Sequence, residues 1–599
     1  MIYHCEDHTC NYWDEGEKLP ERCPQCGRKL LRANEADMTG DDWTALGNTL
    51  WDAEASDKKR MVDCFRKAAY LGSAWGVCNL GICMEQGNGV EADPVQAFWL
   101  YQQAVEMGSL NAVCCLGVCY QYGIGTAPDA EKAAELYCKA AEYGSPRGQM
   151  LLARAFHDGI GVEADAAEAV HWVRAAAYQR YGEGMYRLGV CYEYGDGVEQ
   201  NWEHAVHWFR EAAESGVSTA MTDLGYCYEK GCGVEQSWEQ AFSWYRRGAE
   251  CGDLRSMHNL GYCYEKGCGV EQSWEQAFSW YRRGAECGYP VSMSNLGLCY
   301  KRGYGVEQNW QEAIKWYEQG AQCGDLQSMH NLACCYERGE GVEQNEDRAL
   351  YWYRRGAEAG SDYCMYCLGW NYSNGEGVEQ NMTEAIRWYT AAAEGGNADA
   401  MHNLGWLYDH GEGVEQDMKK AICWYERAAE QNHPAAMNSL GECYAMGRGV
   451  PRDLETAMEW YRRAAELGEA MADYNMGWHL EQAGKLSEAY AHYRKAADGN
   501  DDSAWWALGR FYENGVVVAQ DGKEARHCYE TGEKLGSVKC KMRLARCKLL
   551  GIGDRREKKA GLDLCRQALE LAKESSEKED YGYEAEMNLL RRTIAENES

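Results

Sequence analysis

The chain has 599 residues, more than one hydrophobic core can serve, and its 8 prolines, with no long Ser- or Gly-rich tract, leave little room for flexible linkers. A net charge of −33 argues against a nucleic-acid backbone or an anionic membrane as principal partner, because either calls for clustered Lys and Arg. No run approaches 18 consecutive apolar residues, and Met1 to Cys5 lacks a basic region followed by an apolar one, so neither a membrane span nor a secretory signal is read and a cytoplasmic protein is expected.

The chain opens with Cys5, Cys10, Cys23 and Cys26 inside 22 residues, the second pair spelling Cys23-Pro-Gln-Cys26-Gly27, with Tyr12, Trp13 and Leu19 between the pairs. Four thiolates suit tetrahedral Zn2+ at Zn–S distances of about 2.3 Å, and a segment of ~30 residues has too little core to hold itself without metal. The pattern over residues 1–32 resembles a zinc ribbon or rubredoxin-like knuckle pair, which implies structural zinc. The first knuckle departs from the commonest spacing, with Asn11 where a glycine is frequent; His8 rivals Cys10 as ligand, and iron rivals zinc.

From residue 33 to 574 the chain repeats itself. Leu224 to Gly252 recurs unchanged at Leu260 to Gly288, 36 residues later. Degenerate copies follow an anchor, Leu or Met before Gly or Ala, at Gly47, Gly81, Gly117, Ala153, Gly189, Gly225, Gly261, Gly297, Ala333, Gly369, Gly405, Gly441, Gly477, Gly509 and Ala545, and every step from Gly81 to Gly477 is 36. Such a period signals stacked units, each unable to bury its apolar face alone. Met257, Leu260, Gly261 and Tyr264 make one apolar stripe, helix A, which the glycines of Gly267-Cys-Gly269-Val270 end. Ser273 and Gln276 have the spacing of a capping box for helix B, repeated by Asn381 and Glu384, and helix B carries Trp274, Ala277, Phe278, Trp280, Tyr281 and Ala285. The first unit, around Trp43 and Gly47, lacks the long loop and reads as a cap. Gly484-Lys485-Leu486-Ser487 replaces that loop once, with a 32-residue step after it. Ser575 to Asp580 reads as a charged break, and residues 575–599 as a terminal helix with Ala585, Leu589, Leu590 and Ile594 on one face.

The pattern L-G-x-x-Y-x-x-G-x-G-V, then A-x-x-W-Y-x-x-A-A-x-x-G, as in Leu188 to Gly216 and Leu404 to Glu430, resembles the Sel1-like repeats, relatives of tetratricopeptide repeats. The resemblance implies an all-α fold, an α/α superhelical solenoid of helix-turn-helix repeats preceded by the small zinc-ribbon-like module. It also implies an adaptor, without naming the partner. Some secreted relatives carry a disulfide in each repeat. Here Cys83, Cys119, Cys191, Cys227, Cys263, Cys299, Cys335, Cys443 and Cys547 share a position with Leu407, so reduced thiols in an apolar core are expected.

By resemblance to tetratricopeptide arrays, helix A lines the concave face, with the positions three before, one after and four after the anchor pointing into it. The first two sets include Tyr226, His258, Tyr262, His330, Tyr366, Trp370, His402 and Trp406; the third includes Glu193, Glu229, Glu265, Glu337, Asp409, Glu481 and Glu513. Aromatic walls with an acidic rim suit a protein or peptide with apolar anchors and basic flanks. The alternative is that the aromatics pack between repeats and the carboxylates are a solvated face. The Met-His-Asn-Leu histidines recur every 72 residues and do not converge, and the sequence holds no phosphate loop, nucleophile elbow or H-E-x-x-H, so an enzyme is not expected, although some relatives are proposed to bind or hydrolyse antibiotics. An effector that engages another organism's proteins is the second functional class.

Overall fold

The computed structural model describes residues 2–5, 13–15, 30–33, 38–51, 55–578 and 584–598. The chain forms two compact units, Met1–Asn309 and Trp310–Ser599. The first begins with a three-stranded antiparallel sheet in the order β2-β1-β3, made of β1 (Ile2–Cys5), β2 (Trp13–Glu15) and β3 (Leu30–Ala33), in which Cys5 stands opposite Leu30. Cys5 thus ends a strand, while Cys10, Cys23, Cys26 and His8 lie outside the described residues.

Beyond the sheet both units are stacks of helix pairs. Thirty-one helices are described, and each one from Ala74–Gln86 to Val538–Leu550 has 13 residues. The repeat Leu254–Lys266 and Trp274–Glu286 shows how the sequence builds one. Asp253 caps helix A by accepting the Ser256 amide at 2.7 Å, and Gly267, at φ +71°, takes the left-handed conformation that ends it. Gly269, also at positive φ, has a second role: a Cβ there would run into the Trp238 carbonyl of the preceding repeat's helix B, so the loop is pressed onto its neighbour. Ser273 caps helix B, accepting the Gln276 amide at 3.3 Å, and Asn381 accepts that of Glu384 at 3.2 Å. Among the described residues the reciprocal half of the expected box is not formed in either. Gln272 instead donates its side-chain amide to the Glu265 carbonyl at 2.7 Å and ties the loop back to helix A.

The core runs between the two helix layers and on to the next repeat. Ala241, Tyr245 and Ala249 of one helix B pack with Met257, Leu260 and Cys263 of the following helix A. Within a repeat, a ring from helix B lies flat against the anchor glycine: a Cβ at Gly261 would stand 2.6 Å from Tyr281. The shortened loop at Gly484 preserves this, since Tyr493 still lies against Gly477. The thiols two after the anchor are buried, Cys191 excepted, which is half-buried, and none of them is in a disulfide. Burial pushes Cys83 up to about 11 and Cys227 and Cys263 up to about 12, so these thiols stay protonated and unreactive at neutral pH.

The C-terminal end differs from expectation. Helix Lys558–Lys578 continues through the boundary placed at 574 and through most of the expected charged break, because the Lys, Glu and Ser there are all compatible with helix. In the terminal helix Glu584–Glu598, Met587, Leu590 and Ile594 form the face that packs on Met542, Ala545 and Leu549, and Ala585 is exposed.

Candidate partner-binding face

The structure divides the expected face by position. One residue after the anchor the side chains are exposed: Tyr226 is 41% and Tyr262 39% accessible in the first unit, Trp370 44% and Trp406 37% in the second. Three before the anchor they are largely covered. His258 lies 5.6 Å from the Tyr281 ring and 5.9 Å from Tyr289, Tyr366 is 5.9 Å from Tyr389, and His330 sits between Tyr353 and Tyr363. His402 packs on Tyr425 and stacks on His433. These four residues line the seam with the next helix B.

The expected acidic rim is not one. Four residues after the anchor, the carboxylate turns toward the ring tyrosine of its own repeat: Tyr245 donates to Glu229 and Tyr281 to Glu265, each at 2.8 Å, and Tyr493 to Glu481 at 2.7 Å. The other oxygen of Glu229 meets Lys230, and that of Glu265 meets Lys266, each at 2.8 Å. Asp409 is only 3% exposed and pairs with Arg448 at 3.0 Å, so it is an internal ion pair and not an edge residue. The physical reason is the buried phenol, which needs an acceptor and finds it one helix away. The exposed negative charge sits elsewhere, on the A-to-B loops, at Glu199, Glu235, Glu271 and Glu307 in the first unit and Glu343, Glu379 and Glu415 in the second.

The outward side of helix A is therefore rotated by about one residue from the expected one, and it includes the positions six before and five after the anchor. Tyr262 is flanked there by Arg255 and Lys266, Trp370 by Tyr363 and Asn374, and Trp406 by Asp399 and His410, all exposed. Lys230 reaches over Tyr226 at 5.8 Å and Lys266 over Tyr262 at 5.9 Å. These flanking columns were visible as 36-residue periodicities. What was missing was the direction of the stripe, which the buried Met257, Leu260 and Cys263 set.

The seam histidines give a pH test. Burial pushes His258 and His402 down to about 4, against 6.5 for a free imidazole. Between those values the unfolded chain takes up protons that the folded chain refuses, so stability falls as pH drops from about 6.5 toward 4. Each histidine should cost on the order of 2 kcal/mol between pH 7 and pH 5. Urea melts at the two pH values should differ less for the variant His258→Gln with His402→Gln; an unchanged difference would show that other groups dominate.

The repeat signature extends over most of the chain. The family profile described as Sel1 repeat matches thirteen successive segments, from residues 76–109 to residues 504–537. The chain belongs to the Sel1 repeat family. Among solved structures, this Sel1 repeat protein is similar to c5321, a protective antigen present in uropathogenic Escherichia coli strains displaying an SLR fold, with 32% identity, 75% of this chain and 97% of that one covered, and a TM-score of 0.52. It is also similar to a Sel1 repeat protein from Oxalobacter formigenes, at 30% identity over 41% of this chain and 96% of that one, with a TM-score of 0.38. No curated protein matches it.

Proposed function

We propose that this Sel1 repeat protein is a non-enzymatic adaptor that binds a protein or peptide along the outward side of its A helices. The observation that carries this reading is the column of exposed aromatics one residue after the anchor, Tyr226 and Tyr262 in one unit and Trp370 and Trp406 in the other, beside the rings three before the anchor, which pack into the seam. The partner's apolar anchors follow from that column. A basic partner does not, because the carboxylates four after the anchor are engaged by tyrosine, lysine and arginine. The buried protonated thiols suit a reducing compartment, so a cytoplasmic adaptor is the reading we adopt. No described helix is long and apolar enough to cross a membrane. Capture from the native cell by the wild-type chain, compared by mass spectrometry with the Trp370→Ala, Trp406→Ala chain, tests the reading. Partners retained equally by both would reject it.

A second reading draws on the relative described as a protective antigen: the chain would engage another organism's proteins. Finding the intact chain in the medium of unlysed cells would favour it.

The N-terminal segment, in our reading, holds one structural zinc on Cys5, Cys10, Cys23 and Cys26. The spacing of the cysteines supports this, as does a sheet of strands only 4, 3 and 4 residues long, too small for a core of its own. Metal analysis of freshly purified protein should return about one zinc per chain, and Cys23→Ser should lose it while the helical signal survives, because repeat stacks are stabilised by nearest neighbours. A metal-free wild type would end the zinc reading.

A further inference from the structure

Along the first unit an aromatic ring from helix B faces each anchor: Tyr101 against Gly81, Tyr137 against Gly117, Phe209 against Gly189, Tyr245 against Gly225 and Tyr281 against Gly261. One repeat breaks the series. Its anchor is Ala153, the facing position on helix Ala166–Tyr178 is Val173, and the position four after the anchor, Glu265 elsewhere, is His157. Both the ring and its carboxylate acceptor are thus absent from this repeat. The structure has a cavity of about 570 Å3 there, lined by Ala153 and Val173, a volume in the range of small-ligand sites.

Its apolar wall is made by Leu151, Val170 and Val173, and its mouth carries Arg147, Arg154 and Arg187 from the helices Pro146–Asp158 and Gly182–Tyr194. Three carboxylates share the rim, and two of them are engaged. Asp158 takes Arg154 at 3.3 Å and His157 at 2.8 Å, while Asp196 takes the other nitrogen of His157 at 3.2 Å. Arg147 donates to the neutral Asn111 at 2.6 Å and to the Cys115 sulfur at 3.6 Å, and Arg187, which is exposed, makes no hydrogen bond or ion pair with the described residues. Two guanidinium groups without a carboxylate partner therefore stand at the mouth of an apolar hole, beside Glu183, in a chain of net charge −33. A guanidinium's planar fork matches a carboxylate.

We propose that this cavity binds a ligand carrying an aromatic ring and a carboxylate, the ring entering where Tyr281 sits in another repeat and the carboxylate meeting Arg147 and Arg187. The polarity of the pair is reversed: at Tyr101, Tyr245 and Tyr281 a protein phenol donates to a protein carboxylate, and here protein guanidinium groups donate to an incoming one. A free aromatic acid and the C-terminal aromatic residue of a peptide share this chemistry. Arg147 and Arg154 hold the positions six before and one after the anchor Ala153, so the cavity opens on the same side of helix A as the proposed partner face, but its chemistry rests on the cavity and its guanidinium groups and not on Trp370 or Trp406.

Calorimetric titration of the full chain tests it with 2-naphthoate, its neutral amide, and Gly-Gly-Phe with a free or amidated C-terminus. Naphthoate or free Gly-Gly-Phe should bind saturably at one site, and the corresponding amide about tenfold or more weakly. The tighter of the two acids identifies the source. Val173→Tyr should abolish binding by filling the hole. Arg187→Gln should weaken it about tenfold with an unchanged thermal midpoint, since Arg187 has no structural partner to lose, and this variant keeps the test decisive if Val173→Tyr misfolds. Absence of saturable binding by both acids, or binding unchanged in Arg187→Gln, would overturn the proposal.

Discussion

Replacing Tyr281 by Ala should cost about 3–5 kcal/mol, among the largest single losses the fold can suffer, because the ring is fully buried and no other group can fill its place beside Gly261. The substitution also removes the hydroxyl that donates to Glu265 at 2.8 Å. Tyr281→Phe isolates that second effect. It should cost only about 1 kcal/mol, since Glu265 keeps Lys266 at 2.8 Å and is not left without a partner. Because a stack is stabilised repeat by repeat, the loss should be local. Hydrogen exchange should accelerate in Leu254–Lys266 and Trp274–Glu286 well before it does in distant repeats of the same unit. Denaturant melts of the full chain give the magnitude. A cost below 1 kcal/mol for the Ala variant, or exchange that rises uniformly across the unit, would mean that the ring is not the keystone of its repeat.

The repeat was legible because its signals are local. A glycine that ends a helix, a Ser or Asn that caps one, and a cysteine sharing its position with a leucine each report the immediate backbone or the immediate core. The period then carried those readings along the chain. The side of helix A that faces outward was not legible in the same way. Glu265 reads as a surface carboxylate until the Tyr281 hydroxyl, 16 residues later, is seen to need an acceptor, and Asp409 until Arg448 is seen against it. Gly269 reads as a turn residue, whereas its closest neighbour is the Trp238 carbonyl of the preceding repeat. The odd repeat with Ala153 and Val173 was present in the anchor list, yet its meaning depends on the ring that the other repeats place there.

Replacing Trp370 and Trp406 together by Ala should lower affinity for the captured partner by about 30-fold to 1,000-fold while leaving the fold intact, as expected when two exposed aromatic anchors are removed from an interface. The two rings sit on the A helices of successive repeats, Asp362–Asn374 and Ala398–His410. Their exposure separates them from Tyr366 and His402, which pack on Tyr389 and Tyr425 and should behave as core residues. The matched variant, Tyr366→Ala with His402→Ala, should therefore lower the melting temperature, and it provides the control for binding lost through unfolding. Rising salt should weaken the complex little, because the carboxylates nearest these rings do not form a free acidic rim: Asp409 is buried against Arg448, and Asp399, exposed beside Trp406, is engaged by His433 at 3.2 Å. Circular dichroism and titration with the purified partner decide the matter. If the tryptophan pair loses helical content in step with binding, those rings are core after all; if capture is undiminished, the partner binds elsewhere, on the glutamate-lined loops or the N-terminal segment.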